Sequence, residues 1–179
     1  MKGKKYVLSG GLAFSEDKDL RKLEKYASEG WILERFAFLG YHLRNSEPIK
    51  LQYSLDYQLH ADKEYFNLFE EAGWSHVCSA GSEIHIFSAQ LGTKPIYSDI
   101  TTIYDKYERE KAQMKRILFP FLFIFILLLI ISITCSYYHL PPFIVMPGYI
   151  LTTVSYIIMV FSGLPFLAYT FKLKKIKNY

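Results

Sequence analysis

The feature that most constrains this chain is a long stretch, residues 117–171, that contains no Asp, Glu, Lys or Arg. Two apolar runs lie within it, at 117–138 and 148–171, on either side of consecutive prolines at 141 and 142. As a helix rising 1.5 Å per residue, each run is long enough to cross a hydrocarbon core of about 30 Å. Since a bilayer offers no water to backbone groups, both runs must be helical. The sequence therefore predicts a two-helix transmembrane hairpin.

Basic residues flank this hairpin on one side only. Five precede the first run and four lysines lie in the tail at 172–179, whereas the loop at 139–147 has neither Lys nor Arg. Under the positive-inside rule, both termini are cytoplasmic and the loop is extracytoplasmic. The N-terminal residues show no convincing signal-peptide cleavage site. We expect a two-span protein of the cell membrane, with the lipid bilayer as a partner and Cys78 as a reduced thiol.

The charge distribution limits the kinds of domain that residues 1–116 can form. All 17 acidic residues and 17 of the 21 basic residues lie in 1–116, so the overall charge of +4 comes from the tail. A neutral domain does not favour nucleic-acid binding. An aromatic content of 17% excludes disorder, and two cysteines cannot form a disulfide scaffold. We therefore expect a folded cytoplasmic domain at 1–97.

This domain resembles one structural unit written twice, at 6–45 and 49–89. Each unit reads strand, helix, Gly-Trp, strand, turn, strand. At an offset of 43 residues, several positions align: Gly30-Trp31 with Gly73-Trp74, His42 with His85, Leu43 with Ile86, and Phe14 with Tyr57.

In the first unit, the pattern predicts a strand at 6–14 and a helix that begins after Ser15. Ser15 is a typical N-cap, and the acidic residues after it suit the positive end of a helix dipole. Gly30 ends the helix, because the position after a helix commonly needs a left-handed backbone. A hairpin at 32–37 and 39–44 completes the unit.

The second unit opens with strict alternation of apolar and polar residues at 51–58, which predicts a strand with one wet face. Asp62 caps the next helix and Gly73 ends it. The remaining elements are a helix at 63–72 and strands at 74–79 and 83–89. Together the two units predict an α+β fold, with a mostly antiparallel sheet and both helices on one face.

A juxtamembrane helix at 98–116 joins the domain to the first span. Its apolar residues recur at helical spacing, and it should run directly into the span. Two interpretations stay open: the helix only packs on the sheet, or it transmits a state of the domain to the bilayer.

An ordered series of motifs lies between residues 14 and 99. It reads SEGWIL at 28–33, YSLDY at 53–57, KEYFNLFEEAGW at 63–74, IFSA at 86–89 and PIYSD at 95–99. This series resembles the bacterial family catalogued as domain of unknown function 2812. Members of that family often carry C-terminal transmembrane helices and are often encoded beside PadR-type regulators. The resemblance implies a small bacterial membrane protein in a regulatory or stress-response setting. It implies no catalytic residues.

Side chains capable of chemistry form only weak patterns. His76 and Cys78 should share a strand face, but no third group orients them as a nucleophile pair. His42 and His85 could meet across a sheet, with Glu83 as the only further metal ligand. The loop at 9–11 lacks a phosphate-binding glycine pattern. We expect that the protein is not an enzyme and that it has no cofactor or metal site.

Seven residues are the candidates for a structural or partner-binding role: Gly30, Trp31, Tyr53, Asp56, Tyr57, Gly73 and Trp74. Each Trp ring either covers the end of its helix or anchors a partner. Asp56 is either a solvated strand residue or a cap or partner contact. Four aromatic residues lie on the predicted strands, Tyr41, Tyr53, Tyr57 and Phe87, and some of them should lie on the sheet face away from the helices and offer a docking surface there.

The leading hypothesis is therefore a non-catalytic interaction or regulatory module of a bacterial envelope or stress-response system, bound to a protein partner. One alternative is an accessory subunit of a membrane transporter or stress-response complex that makes its contact through the spans. Another is an enzyme acting on lipid or on an envelope precursor. The sequence leaves homo-oligomerisation open.

Overall fold

The computed structural model describes residues 3–97, 100–138 and 141–177. The chain divides into two compact units, Met1–Lys106 and Tyr107–Tyr179. We call them unit 1 and unit 2 and describe each by itself.

Unit 1 has the predicted α+β composition, with the same element order in both halves. The first half comprises β1 (Lys4–Leu8), α1 (Leu12–Ser28), β2 (Trp31–Ala37) and β3 (Gly40–Asn45). The second half comprises β4 (Leu51–Tyr57), α2 (Lys63–Glu71), β5 (Ser75–Ala80) and β6 (Ile84–Gln90).

The six strands form two antiparallel sheets rather than the single sheet that the sequence predicts. Their orders are β1-β3-β2 and β4-β6-β5, so the two halves share one topology. His42 pairs with Tyr6 in the first sheet, and His85 pairs with Asp56 in the second. The predicted alignment of Phe14 with Tyr57 is wrong, because Phe14 lies in α1 and Tyr57 ends β4.

The two helices contact different sheet faces, so the prediction that both lie on one face is wrong. Ile86 packs in a core that contains Leu23 and Ala27 of α1. Phe87, the next residue, packs in a second cluster with Phe66 and Phe69 of α2. Successive residues of a strand point to opposite faces, so α1 and α2 cover opposite faces of the second sheet.

A bulge lies at the equivalent position in each half. β2 is bulged between Leu33 and Arg35, and β5 between His76 and Cys78. Leu33 pairs with Leu43 of β3, and its repeat equivalent His76 pairs with Phe87 of β6. In the sheets Leu43 therefore corresponds to Phe87, and the alignment predicted from the sequence, Leu43 with Ile86, is displaced by one residue. A displacement of one residue exchanges the two faces of a strand.

The start of α1 also differs from the prediction of a strand at 6–14. β1 ends at Leu8, and the helix begins at Leu12 after Gly11, which has a φ of 85°. Ser15 interrupts the helix with φ −133° and ψ 24° instead of capping it. The second predicted cap is confirmed, since the Asp62 carboxylate accepts a hydrogen bond from the Tyr65 N–H at 2.9 Å.

Two long helices follow, α3 (Ile100–Tyr137) and α4 (Pro142–Lys177), and unit 2 contains α4 and all of α3 from Tyr107 onward. Both are long and apolar enough to cross a membrane. α3 unites the predicted juxtamembrane helix with the first span. α4 includes residues 142–147, which were predicted to belong to the loop. It continues beyond residue 171 into the basic tail.

Small polar side chains line the contact between α3 and α4. The Ser155 hydroxyl donates to the Phe121 carbonyl at 3.1 Å, and the hydroxyls of Ser132 and Thr152 lie 3.3 Å apart. Ser155, Ser162 and Tyr169, which are buried, recur every seven residues in α4. Small side chains let helices approach closely in lipid, and a seven-residue repeat is typical of a helix pair.

We predict that Gly30→Ala destabilises unit 1 more than Gly73→Ala. Both glycines have a positive φ, 86° and 85°, which costs an L-residue about 1–2 kcal/mol. A Cβ at Gly30 would also lie 2.8 Å from the Ser46 carbonyl oxygen, whereas one at Gly73 would lie 3.4 Å from a Thr93 methyl. Denaturant unfolding of the full chain in detergent, followed by circular dichroism, measures both. Equal losses would show that the backbone around Ser46 relaxes freely.

Candidate functional site

The polar centre of unit 1 is the buried ammonium group of Lys106, in the second turn of α3. Only 4% of this residue is exposed. Its Nζ donates to Glu16 Oε1 at 2.5 Å and to the Leu55 carbonyl oxygen at 2.6 Å. The same Nζ lies 5.3 Å from the Tyr57 ring centroid and 4.9 Å from that of Tyr97. Two acceptors and two aromatic faces thus compensate the charge for its lost hydration.

The carbonyl of Leu55 is available because β4 is an edge strand. Edge strands leave backbone groups without a strand partner, and proteins cover them to prevent unwanted pairing. Here the Tyr53 N–H donates to Glu24 Oε1 of α1 at 3.2 Å, and the Leu55 carbonyl accepts from Lys106 of α3. Side chains from two helices therefore cap the edge of β4.

Asp56 lies beside this contact and is buried, with 4% of its surface exposed. Its Oδ2 accepts from the Tyr65 hydroxyl at 2.8 Å, and its Oδ1 accepts from the Tyr97 hydroxyl and from the Tyr57 N–H at 2.7 Å. The predicted wet face of β4 is thus wrong at this position, because α2 and the segment before α3 cover it. Asp56 connects β4, α2 and that segment.

The predicted candidates fall into separate places. Asp56 and Tyr57 join the Lys106 cluster, while the Tyr53 hydroxyl accepts from the Leu33 N–H at 3.3 Å, with the Tyr53 pKa raised by burial. The four aromatic residues predicted to form a docking surface are all buried, so that prediction is wrong: Tyr41, Tyr53, Tyr57 and Phe87.

The two Gly-Trp pairs lie in different cores. Gly30 and Gly73 both follow a helix end with positive φ, as predicted. Trp74 is buried beside Phe87, and its Nε1 donates to the Lys94 carbonyl at 3.0 Å. Trp31 is half-buried, with the Lys5 Nζ 5.4 Å from its ring.

A third buried carboxylate, that of Asp19, accepts hydrogen bonds from the glycine loop at 9–11. Asp19 accepts from the Ser9 hydroxyl at 2.5 Å, from the Gly10 N–H at 3.0 Å and from the Tyr41 hydroxyl at 3.1 Å. Burial and the nearby Asp19 carboxylate both raise the Tyr41 pKa. The loop donors that a phosphate would need already serve an internal carboxylate.

His76 and Cys78 do not share a strand face, contrary to the prediction. The bulge after His76 sets it apart from Cys78: His76 packs against Phe66 on the α2 side, whereas Cys78 lies in the core with α1. Burial raises the Cys78 pKa to about 11, so the thiol stays protonated at neutral pH. Among the residues that the structure describes, no three metal-ligating side chains come together.

His76 and His85 instead share one hydroxyl. The Ser79 oxygen lies 2.8 Å from His76 Nε2 and 2.7 Å from His85 Nδ1, and His85 Nε2 lies 3.0 Å from the Gln58 carbonyl. The His76 pKa is lowered by burial and by the neighbouring His85. His42, the repeat equivalent of His85, packs edge-on against Tyr6 in the other sheet.

Comparison with known proteins adds a family but no activity. A family model described as a protein of unknown function (DUF2812) matches residues 15–121, a range that includes Glu16, Asp56 and Lys106. No curated protein and no solved structure matches the chain.

We predict that Lys106→Met and Glu16→Gln each destabilise unit 1 by about 3–5 kcal/mol, because each leaves a buried partner uncompensated. Replacing both residues by Met should recover most of this loss. Tryptophan fluorescence during denaturant unfolding reports on unit 1, since both tryptophans lie there.

The matched control is the exposed pair Lys25 and Glu29, 4.0 Å apart on α1. Lys25→Met should change the free energy of unfolding by about 1 kcal/mol or less. Additive losses at positions 16 and 106 would contradict a coupled buried pair.

Proposed function

The chain belongs to this family, whose description names no activity, and we propose that it is a membrane-anchored interaction module of a regulatory or stress-response system. Its α+β unit lies in the cytoplasm, and its apolar helices anchor it in the membrane. The observation that carries the proposal is the buried contact of Lys106 with Glu16 and Leu55.

This contact ties the state of the domain to a membrane helix. Lys106 is part of α3, and the same continuous helix contains the charge-free run from residue 117 onward. Any partner that moves the start of α1 or the edge of β4 changes the surroundings of Lys106. α3, which carries Lys106, then loses or gains a buried ion pair. The free-energy difference is large enough to shift the populations of two states of the domain.

An interaction role fits the use of the polar groups in unit 1. The carboxylates of Glu16, Asp19 and Asp56 accept hydrogen bonds from within the domain. These hydrogen bonds join elements that are distant in sequence. Because the carboxylates are engaged within the fold, they support a domain that changes its contacts rather than one that transforms a substrate.

The accessory-subunit alternative places the partner contact on the spans. Within unit 2, Ser132, Thr152 and Ser155 lie between α3 and α4. Large apolar side chains such as Phe123 and Phe161 face outward. Such outer faces suit lipid, so a partner that binds the cytoplasmic unit is the better-supported choice.

The proposed orientation predicts which introduced cysteines react from outside intact cells. Phe143→Cys, exposed at the start of α4, should react with a membrane-impermeant maleimide. Glu47→Cys, exposed in unit 1, should react only after lysis. The unmodified chain gives the background from Cys78 and Cys135. Labelling of Glu47→Cys in intact cells would reverse the orientation.

Partner capture tests the coupling itself. After cross-linking in native membranes, a partner retained by the wild type should also be retained when an unrelated helical hairpin replaces 117–171. The double variant Glu16→Met/Lys106→Met keeps the packing but removes the ion pair, so it should lower capture several-fold while remaining folded and inserted.

Lys25→Met is the control and should retain as much of the partner as the wild type does. Loss of the partner on replacement of the spans would favour the accessory-subunit alternative. Unchanged capture by the double variant would contradict a role of the ion pair in partner binding.

A further inference from the structure

The turn between β2 and β3 holds two large apolar side chains in solvent. Phe38 is 87% exposed and Leu39 is 61% exposed. Leu39 has a φ of 53°, in the left-handed region that leucine rarely adopts. A turn position with positive φ favours Gly, Asn or Asp, so leucine is unfavourable at position 39. We call these two residues the apolar tip.

The backbone of the apolar tip is held firmly. The Tyr6 hydroxyl donates to the Phe38 carbonyl at 2.8 Å, and the Ser9 N–H donates to the Leu39 carbonyl at 2.9 Å. Gly40 follows, and a Cβ there would lie 2.2 Å from the Val7 carbonyl oxygen. The two side chains are therefore presented outward by a fixed turn.

The second half of unit 1 shows that the fold does not require an apolar turn. Phe38 and Leu39 correspond, at the repeat offset, to Gly81 and Ser82. Gly81 has a φ of 61°, and nothing lies within 4 Å of a Cβ built there. A small, polar turn thus connects β5 and β6 in the same topology.

The apolar tip lies at the same end of unit 1 as the start of α1. Leu8, also exposed, pairs with Gly40 beside the tip, and the exposed Phe14 lies in the first turn of α1. Glu16, two residues further on, binds Lys106, the last residue of unit 1. A cation is present at this end as well, since Lys22 Nζ donates to the Leu8 carbonyl at 2.9 Å.

We propose that the apolar tip inserts into the surface of the bilayer in which the chain is anchored. Exposed Phe and Leu side chains beside a lysine match the interface, where apolar groups enter the acyl boundary and cations meet lipid phosphates. The spans keep the membrane within reach, so even weak insertion is populated. This inference rests on the proposed membrane anchoring and adds a second, reversible membrane contact.

Fluorescence quenching by brominated lipid tests the proposal on the full chain. The chain is reconstituted in vesicles of phosphatidylcholine and phosphatidylglycerol, with the phosphatidylcholine either plain or brominated in the upper acyl chain. Phe38→Trp reports on the tip and Ser82→Trp on the equivalent turn, with the emission of the wild type subtracted. We expect Phe38→Trp to lose about half of its added emission, because an inserted tip lies about 5–10 Å deep. Ser82→Trp should keep its emission.

Equal quenching at both positions, or none at position 38, would overturn the proposal. The proposal would also be overturned if the indole of Phe38→Trp were shielded from water but not quenched by bromine, since a protein or a second copy would then cover the tip. Carbonate extraction of the same vesicles separates the two inferences. If the chain is extracted, membrane anchoring itself is wrong; if it stays and the tip is unquenched, only tip insertion is wrong.

Discussion

Burial of one ammonium group, that of Lys106, organises unit 1. An ion removed from water is tolerated only when acceptors surround it closely, and Lys106 finds them in α1 and on the edge of β4. The contact fixes where α1 begins relative to the second sheet. It also places the start of α3 against Tyr57 and Tyr97. Three parts of the chain that are distant in sequence, α1, β4 and the start of α3, therefore meet at a single side chain.

Patterns that are local in sequence predicted the structure well. Uncharged runs indicated the helices of unit 2, and glycines after helical stripes indicated the two positive-φ positions at Gly30 and Gly73. The Lys106–Glu16 pair could not be predicted, because 90 residues separate its members and neither has a distinctive neighbourhood. The burial of Asp56 was not predicted for a related reason. The alternation of apolar and polar residues indicates the face of a strand on which a side chain lies, but it does not show whether a helix covers that face.

The two halves of unit 1 show how a small change diversifies a repeated unit. Strand order is the same in both, yet α1 and α2 pack on opposite faces of the second sheet. A buried carboxylate serves each half: Asp19 holds the loop between β1 and α1, and Asp56 holds α2. In the first half the turn carries Phe38 and Leu39, whereas in the second it is polar. One topology thus supports two surfaces with different chemistry.

The capped edge of β4 has a consequence for biosynthesis. The strand is complete at Tyr57, but the group that covers its Leu55 carbonyl comes from Lys106, eleven residues before the first apolar run at 117. Until that lysine has been translated, the edge of β4 is open at Leu55 and available for pairing with other chains. Completion of this edge and synthesis of the first apolar run should therefore follow each other closely on the ribosome. A chain released by cleavage before Lys106 would return to the immature, association-prone state.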